Sequence, residues 1–336
     1  MTPMRPVRTL GLLGTGVIGG GWAARALHAG VDVVAVDINP AMEGWIREAV
    51  ETAQPALAAL TEGMPLPPPG TLRFTTDPGE MAAEADFVQE NVPEALEVKR
   101  RALGAVAEAA GADVLIASST SGFMPSELQD GLRHPERILV GHPFNPVYLC
   151  PLVEIVSGKA TSAQARDAAQ EFFRSIGMHT LMVRREVPGH ISDRLQEAMW
   201  REILHALNDD IATTGELDEA IVYGPGLRWA VMGMNQIYMI AGGDGGARHF
   251  MEQFGPALDW PWSHLKAPEL TDTIIDRFAD GTAAQAGGKS VRELEAIRDE
   301  CMVAIQRVLA KHDMGAGRTL NQFEARLRAR ADAKGR

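Results

Sequence analysis

The amino-acid sequence predicts an α/β N-terminal domain with a doubly wound, mostly parallel sheet, followed by an all-α C-terminal domain. Through the first 185 residues, apolar strand patterns alternate with helical patterns, which is typical of a parallel sheet covered by helices on both faces. After Val187-Pro188-Gly189 the strand patterns end and amphipathic helical patterns follow. We therefore expect a sheet domain over residues 1–186 and a helical domain over residues 187–336.

Each predicted element follows from a local pattern. Short apolar runs bounded by turn-forming residues predict strands near residues 7–13, 31–37, 72–74, 86–89, 113–117, 138–141, 151–157 and 179–184. Apolar residues at helical spacing predict helices near residues 16–29, 40–60, 94–110, 125–130 and 162–176, then near 190–212, 216–223, 227–241, 244–254, 269–279 and 290–311. Ser290 and Glu293 predict a capping box at the start of the last of these helices. The arginine-rich tail, residues 313–336, is expected to be a solvated basic end.

Composition narrows the classes of partner and compartment. The 336 residues carry a net charge of −12, which disfavours nucleic acid or an anionic membrane as the main partner. Because there is no secretory segment and no run of 18 apolar residues, we expect a cytoplasmic protein with no membrane association. Cys150 and Cys301 each lie in an apolar context and are expected to be reduced and buried. No histidine or cysteine pair has metal-ligand spacing, so we expect no metal.

A glycine-rich turn joins the first predicted strand to the first predicted helix. In the run Gly14-Thr15-Gly16-Val17-Ile18-Gly19, the three glycines permit a tight turn, close approach of the backbone to a pyrophosphate, and close helix packing. Asp37 ends the second strand, 18 residues beyond Gly19, where an acid meets the ribose hydroxyls. Together these features predict a Rossmann-type site for NAD rather than NADP, whose extra phosphate the acid would repel. The alternative is a glycine-rich turn that binds nothing.

A histidine and a glutamate lie in the run Gly141 to Glu154, which is otherwise almost entirely apolar. Glu154 falls inside an apolar strand pattern, where a carboxylate without a partner would cost about 2 kcal/mol or more. His142 is 12 residues upstream, and a carboxylate would fix its tautomer and stabilise its imidazolium form. We therefore predict a general-base pair. The alternative is a core histidine that donates to a carbonyl.

Residues that follow other strands, and one helix of the second domain, are further candidates. The hydroxyl groups of Ser119 and Ser121 follow a strand and could hold nicotinamide or substrate, although such residues also cap helices. Arg228 beside Trp229 at a predicted helix start suits a carboxylate clamp, and clustered aromatic faces suit a quaternary ammonium group. Aromatic residues at helical spacing are otherwise core residues.

The motifs taken together resemble the 3-hydroxyacyl-CoA dehydrogenase superfamily. They comprise the glycine run, Glu94 with Lys99, Ser118 with Ser121, the run 141–146 with Glu154, and Gly189 to Arg194. Within the superfamily, the segments 207–216, 224–229, 254–258 and 267–272 resemble those of the L-carnitine 3-dehydrogenases. The likeness extends to about residue 311, and the helical-domain segments are more specific than the glycine run.

The resemblance implies roles for individual residues. It implies that His142 and Glu154 form the catalytic pair, with Ser121 and Asn145 contacting substrate and nicotinamide. It implies that Glu94, at the start of a helix, and Lys99, on the exposed side of that helix, contact NAD. The residues implied to bind NAD are then Gly14, Gly16, Val17, Ile18, Gly19, Asp37, Glu94, Lys99 and Ser119, and those implied to bind substrate are Ser121, Asp193, Arg228, Trp229 and Asn235.

Three positions bear on the choice of substrate within this resemblance. Asp193 stands where the acyl-CoA enzymes usually carry asparagine, and an anion suits a cationic substrate. His190 and Asn235 stand where carnitine dehydrogenases usually carry phenylalanine and another aromatic residue, and both differences remove apolar faces. The segment 38–72, which carries a basic insertion in the CoA enzymes, contains Arg47 and no lysine, which disfavours CoA.

The sequence thus predicts NAD-dependent oxidation of the 3-hydroxyl group of L-carnitine to 3-dehydrocarnitine. Another small 3-hydroxy acid, such as L-gulonate or 3-hydroxybutyrate, a 3-hydroxyacyl-CoA, and an inactive NAD-binding protein of the crystallin kind are the alternatives. The resemblance also implies a homodimer, with helices near 190–212 or 290–311 at the interface.

Overall fold

The computed structural model describes residues 6–255, 260, 261, 263, 264, 266, 269 and 271–334, except for the side chains of residues 278, 285 and 334. Two of the motifs named above therefore lie partly outside the described residues, at 256–258 and at 267, 268 and 270. The chain forms two compact units. The first comprises the chain up to Ile191 together with the segment from Met302 onward, and the second comprises Ser192–Cys301.

An eight-stranded sheet forms the centre of the first unit. Its strands are β1 (Thr9–Leu13), β2 (Asp32–Val36), β3 (Leu72–Thr75), β4 (Phe87–Glu90), β5 (Leu115–Ser118), β6 (Ile138–Pro143), β7 (Leu152–Ser157) and β8 (His179–Val183). Their order across the sheet is β3-β2-β1-β4-β5-β6-β7-β8. Only β6 and β7 pair antiparallel, which confirms the predicted mostly parallel sheet. The strand order reverses between β1 and β4, where doubly wound sheets bind their ligands.

Helices cover both faces of this sheet. They are α1 (Val17–His28), α2 (Met42–Leu60), α3 (Pro78–Glu84), α4 (Leu96–Ala109), α5 (Pro125–Gln129) and α6 (Ala163–Ser175). Because successive side chains of a strand alternate between faces, Leu12 packs with Trp22 of α1 and Phe173 of α6, whereas Leu13 packs on the other face with Leu103 of α4. The helix α3 was not predicted, although Asp77 caps it by accepting a hydrogen bond from the backbone N–H of Gly79.

The second unit is helical in the part of the chain that the structure describes. Its helices are α7 (Ser192–Asn208), α8 (Thr214–Val222), α9 (Pro225–Trp229), α10 (Met234–Ala241), α11 (Gly246–Phe254) and α12 (Asp272–Ala286), and α13 (Val291–Lys311) begins in it. The predicted helix over residues 227–241 is two helices, because Gly233 caps a new start at Met234. Ser290 and Glu293 form the predicted capping box. The predicted all-α second part of the chain is therefore confirmed.

The C-terminal tail differs from the prediction of a solvated basic end. It forms the helix α14 (Gly315–Lys334), whose Leu320, Phe323 and Leu327 are 7%, 6% and 1% exposed. Phe323 and Leu327 join the core that lies between the sheet, α1 and α6. Arg318, Arg328 and Arg330 are exposed, so the tail is an amphipathic helix whose apolar face is buried. The segment from Met302 onward thus packs within the first unit, whereas the sequence pattern predicted it in the second domain; the boundary near residue 187 stays a prediction.

Two further expectations concern the surface of the chain. Cys301 is exposed and Cys150 is partly buried, so the expectation of two buried thiols was wrong. Among the described helices, none combines the length and the apolar character that a membrane span requires.

Candidate active site

The glycine-rich turn lies where β1 ends and α1 begins, and it fits a pyrophosphate. Gly14 has φ +92°, and a side chain there would come within 2.9 Å of the backbone of Asn91, so only glycine suits this position. A Cβ atom added at Gly16 would meet no atom within 4 Å, so this part of the turn faces open space. No side chain caps α1, and its first turn carries no acidic residue. The helix start therefore offers N–H groups and the positive end of its dipole to an anion.

Asp37 follows β2 and braces the same turn. Its Oδ2 accepts hydrogen bonds from the backbone N–H of Thr15 at 3.1 Å and from the hydroxyl of Thr15 at 3.0 Å. Its Oδ1 accepts one from the backbone N–H of Asn39 at 3.1 Å. A carboxylate oxygen has two lone pairs, so Oδ1 can accept a second hydrogen bond, such as one from a ribose hydroxyl. The residues present thus fit NAD.

His142 and Glu154 are brought together by strand register. They are directly opposed on the antiparallel strands β6 and β7, and His142 Nδ1 lies 3.0 Å from Glu154 Oε2. His142 is 4% exposed and Glu154 is fully buried, so water does not screen the contact. Because the carboxylate only accepts, Nδ1 carries the proton, and Nε2 of the neutral ring is left as an acceptor.

Ser121 completes a chain of hydrogen bonds around the imidazole. Its Oγ lies 3.2 Å from His142 Nε2, on the side of the ring opposite to Glu154. The second carboxylate oxygen, Glu154 Oε1, accepts from the backbone N–H of Ile191 at 3.1 Å. The imidazole is therefore held from one side by a carboxylate and from the other by a hydroxyl, which is the arrangement that a general base requires.

Glu94 holds the loop that carries Ser121, and does not start a helix as expected, because α4 begins at Leu96. Its Oε1 accepts from the hydroxyl of Thr120 and from the backbone N–H groups of Ser121 at 3.2 Å and Gly122 at 3.1 Å. Burial raises the pKa of the Glu94 carboxyl, but these hydrogen bonds and the nearby Lys99 cation outweigh burial, so that the pKa lies below its usual value. Glu94 thus stays an anion that organises the loop.

Lys99 differs from the expectation that it lies on the exposed side of its helix. It is 1% exposed, and its Nζ lies 2.9 Å from Glu90 Oε1 and 3.2 Å from Glu94 Oε2. Nζ also donates to the carbonyl of Val92 at 3.0 Å. An ammonium has three donors, and all three are directed at protein acceptors. Cofactor contact by Glu94 and Lys99 stays a prediction, and what the structure adds is their part in supporting the loop.

Ser119 and Asn145 are the remaining candidates on the first unit. The Ser119 hydroxyl accepts from Trp22 at 3.3 Å and from Gln89 at 2.7 Å, and donates to Asn91 at 2.7 Å. A hydroxyl has one donor and two acceptor positions, so protein groups satisfy all of them, and contact between this side chain and NAD would require rearrangement. Asn145 is exposed in the turn after β6 and precedes a cis proline.

The other candidate substrate-binding residues lie in the second unit. Asp193 lies in the first turn of α7, and Asn235 is exposed in α10. Arg228 and Trp229 are the last residues of α9, which begins at Pro225, so they do not stand at a helix start as predicted. Their roles in substrate binding stay predictions.

The position of His190 beside the pair was not predicted from the sequence. His190, predicted to lie on a helix, precedes α7, is fully buried, and has its ring centroid 5.4 Å from that of His142. Gly189 immediately before it was the only local signal, because glycine marks a backbone position that a helix does not use.

Comparison with known proteins gives two family models that match the chain in succession. Residues 9–187 match the 3-hydroxyacyl-CoA dehydrogenase NAD binding domain. Residues 189–288 match the 3-hydroxyacyl-CoA dehydrogenase C-terminal domain.

Similar proteins cover most of the chain. L-carnitine dehydrogenase from Pseudomonas aeruginosa is 52% identical over 309 residues, which span 91% of this chain and 95% of that protein. L-carnitine dehydrogenase/betainyl-CoA thioesterase from Ruegeria pomeroyi is 47% identical over 324 residues, which span 96% of this chain and 66% of that longer protein. Among solved structures, the NAD+ dependent dismutase FHMPC 5-dehydrogenase is 28% identical with a TM-score of 0.77, covering 90% of this chain and 98% of that one.

Proposed function

Because the chain belongs to the 3-hydroxyacyl-CoA dehydrogenase family and is an NAD-dependent oxidoreductase of a 3-hydroxy substrate, we propose that it oxidises L-carnitine to 3-dehydrocarnitine. The observation that carries the proposal is the chain of hydrogen bonds from Glu154 through His142 to Ser121, at the edge of the sheet where the glycine-rich turn lies. The likeness to several L-carnitine dehydrogenases, over more than nine-tenths of the chain, supports the choice of substrate.

The network of side chains beyond the strand ends supports a common site for substrate and NAD. Asn91 donates to the carbonyl of Gly14 at 3.4 Å and accepts from Ser119 at 2.7 Å. Ser119 and Ser121 belong to the same short loop after β5. The glycine-rich turn and the loop that carries Ser121 are therefore linked by hydrogen bonds, so that a substrate held at Ser121 lies at the same sheet edge as the dinucleotide turn.

His142 removes the hydroxyl proton in this proposal. Nε2 is the acceptor nitrogen of the neutral ring, because Nδ1 donates to Glu154. The 3-hydroxyl group of the substrate binds beside Ser121 and donates to Nε2, and the proton passes to the ring as the carbonyl forms. The resulting imidazolium is stabilised by the buried Glu154 carboxylate, and proton transfer of this kind contributes on the order of 10² to 10⁴ in rate.

Ser121 orients the substrate oxygen, and NAD supplies the oxidising power. When the substrate hydroxyl donates to Nε2, the Ser121 hydroxyl gives up its own contact with that nitrogen. The Ser121 hydroxyl can then donate to the substrate oxygen as that oxygen develops into a carbonyl. When bound, NAD would supply the chemistry of a hydride acceptor for C3 of the substrate. The open space at Gly16, the uncapped start of α1 and the available Oδ1 of Asp37 would hold its pyrophosphate and ribose.

A substrate panel tests the proposal. The wild-type chain is incubated with NAD and, separately, with L-carnitine, D-carnitine, L-gulonate, 3-hydroxybutyrate or 3-hydroxybutyryl-CoA, and NADH absorbance is followed. We expect the highest kcat/KM with L-carnitine. A higher value with another member of the panel would give that compound as the substrate, and no turnover with any would favour an inactive NAD-binding protein.

The role of His142 is tested by His142→Ala beside a matched control, His134→Ala. His134 is a partly exposed histidine on the same unit, near the start of β6, whereas His142 is near the end of that strand. We expect His142→Ala to lower kcat by about 10² to 10⁴ with little change in the Kd for NAD, and His134→Ala to change neither. Full turnover in His142→Ala would exclude this histidine as the base.

A further inference from the structure

The segment Gly189–Ile191 contacts the candidate active site on two sides. The backbone N–H of Ile191 donates to Glu154 Oε1 at 3.1 Å, on the carboxylate side of His142. The backbone N–H of Gly189 donates to the carbonyl of Gly122 at 3.4 Å, on the serine side. Gly189 and His190 have φ angles of +70° and +48°, and these consecutive left-handed residues bend the segment around the imidazole.

The peptide group between Thr120 and Ser121 is fixed at both of its polar ends. Its carbonyl, which belongs to Thr120, lies 3.0 Å from His190 Nε2. Its N–H, which belongs to Ser121, donates to Glu94 Oε1 at 3.2 Å. Because a carbonyl only accepts, His190 Nε2 must carry a proton in this contact. Thr120 and His190 are both fully buried, so water cannot replace the histidine as the donor.

We propose that His190 is a positioning residue, which holds the Thr120–Ser121 peptide plane and thereby keeps the Ser121 hydroxyl within reach of His142 Nε2. The proposal rests on the proposed function, because it gives Ser121 and His142 their roles. Without the donor at His190, rotation of this peptide plane would satisfy the buried carbonyl elsewhere and would carry Ser121 away from its 3.2 Å contact with His142.

Two substitutions of His190 distinguish the effect of its hydrogen bond to Thr120 from the effect of its left-handed backbone conformation. At a positive φ, asparagine is tolerated better than most residues, whereas glutamine is not favoured. The amide nitrogen of glutamine can reach the place of the histidine Nε2, but that of asparagine is one bond too short. A purely structural role at this left-handed position therefore predicts that His190→Asn is the more active variant, and the proposed hydrogen bond predicts that His190→Gln is.

The experiment uses the full chain with saturating NAD and L-carnitine. We expect kcat of His190→Gln to stay within about threefold of wild type and that of His190→Asn to fall about tenfold, the effect of one buried hydrogen bond, with the Kd for NAD unchanged in both. Activity of His190→Asn equal to or above that of His190→Gln would overturn the proposal. His134, at φ +53°, is the matched control, and neither His134→Asn nor His134→Gln should change kcat.

A double-mutant cycle tests whether His190 acts through Ser121. We expect His190→Asn to lower kcat no further when Ser121 is already alanine, because the positioned hydroxyl is gone. A further tenfold loss in that background would show a role that bypasses Ser121 and would overturn the proposal.

A readout without turnover keeps the test separate from the proposed function. The ¹⁵N signal of His142 Nε2 reports the hydrogen bond from Ser121. We expect it to shift in Ser121→Ala and in His190→Asn, but not in His190→Gln. If L-carnitine is not oxidised but these shifts appear, the proposed substrate is wrong and the positioning role stands. An unshifted signal in His190→Asn would refute the positioning role whatever the substrate.

Discussion

Replacement of Glu154 by glutamine is the sharpest test of the charge behind His142. The variant keeps the size of the side chain and can still accept from the backbone N–H of Ile191, which lies 3.1 Å from Glu154 Oε1. Its amide N–H₂ then faces His142 Nδ1, 3.0 Å from Oε2 in the wild-type chain. Because that nitrogen must now accept, the proton moves to Nε2, the position that takes the proton of the substrate hydroxyl in the proposed reaction.

The magnitude follows from the charges. A carboxylate and an imidazolium whose charge centres are about 4 Å apart attract by about 4 kcal/mol at an effective dielectric constant of about 20. Proton transfer is incomplete in the transition state, so about 2 to 4 kcal/mol of this attraction acts there. At about 1.4 kcal/mol for each factor of ten, Glu154→Gln should lower kcat by about 30-fold to 700-fold.

The assay is NADH formation under saturating substrate, with the Kd for NAD and the free energy of unfolding measured on the same samples. Glu186→Gln is the matched control, because Glu186 also accepts two hydrogen bonds on the same unit, from the hydroxyl and the backbone N–H of Ser126. We expect Glu154→Gln to lose turnover while NAD affinity holds, and Glu186→Gln to keep both. If kcat of Glu154→Gln stays within threefold of wild type, the reasoning about the buried charge is wrong.

The remaining predictions concern NAD binding and stability. Gly16→Val should raise the Kd for NAD at least tenfold and leave the urea midpoint unchanged, because the new side chain would enter open space at φ −64°. Gly14→Ala, at φ +92°, should instead lower the free energy of unfolding by about 1 to 3 kcal/mol. Unchanged NAD affinity in Gly16→Val would argue against NAD binding at the glycine-rich turn. Lys99→Met should lower the free energy of unfolding in urea by about 3 kcal/mol, because it leaves Glu90 buried without its cation. Adding Glu90→Gln should restore part of that loss. A loss below about 1 kcal/mol in Lys99→Met would contradict this account of the buried pair. The hydrogen bond from Arg326 lowers the pKa of the Glu171 carboxyl, so the pair stabilises the fold above the unfolded pKa of about 4.3 and loses this contribution as pH falls through the lower folded value. Glu171→Gln should therefore lower Tm slightly at pH 7, which corresponds to no more than about 1 kcal/mol of stability, and should not change Tm near pH 2. Equal changes in Tm at both pH values would refute the linkage.

The sequence predicted the sheet more completely than it predicted the tail. All eight strands appear within about two residues of their predicted places, because buried parallel strands are apolar runs with clear ends. The tail was misread because its arginines dominate the composition, while only three apolar positions, Leu320, Phe323 and Leu327, mark the buried face of α14. The composition of the tail shows its charge, whereas the burial of α14 depends on the few apolar residues lying on one face of the helix.

At the candidate site, the sequence by itself determined which residue types are present and near which strands they fall. It determined the glycine-rich turn, the acid after β2, and the histidine and glutamate 12 residues apart, because these are local signals. Only the tertiary structure decided that β6 and β7 oppose His142 and Glu154, that Lys99 is buried between two carboxylates, and that His190 reaches the Thr120 carbonyl 70 residues away. The physical reason is that a hydrogen bond forms only when its two atoms lie about 3 Å apart in space. Strand register and chain reversal set that distance, and the spacing of residues along the sequence does not determine either of them.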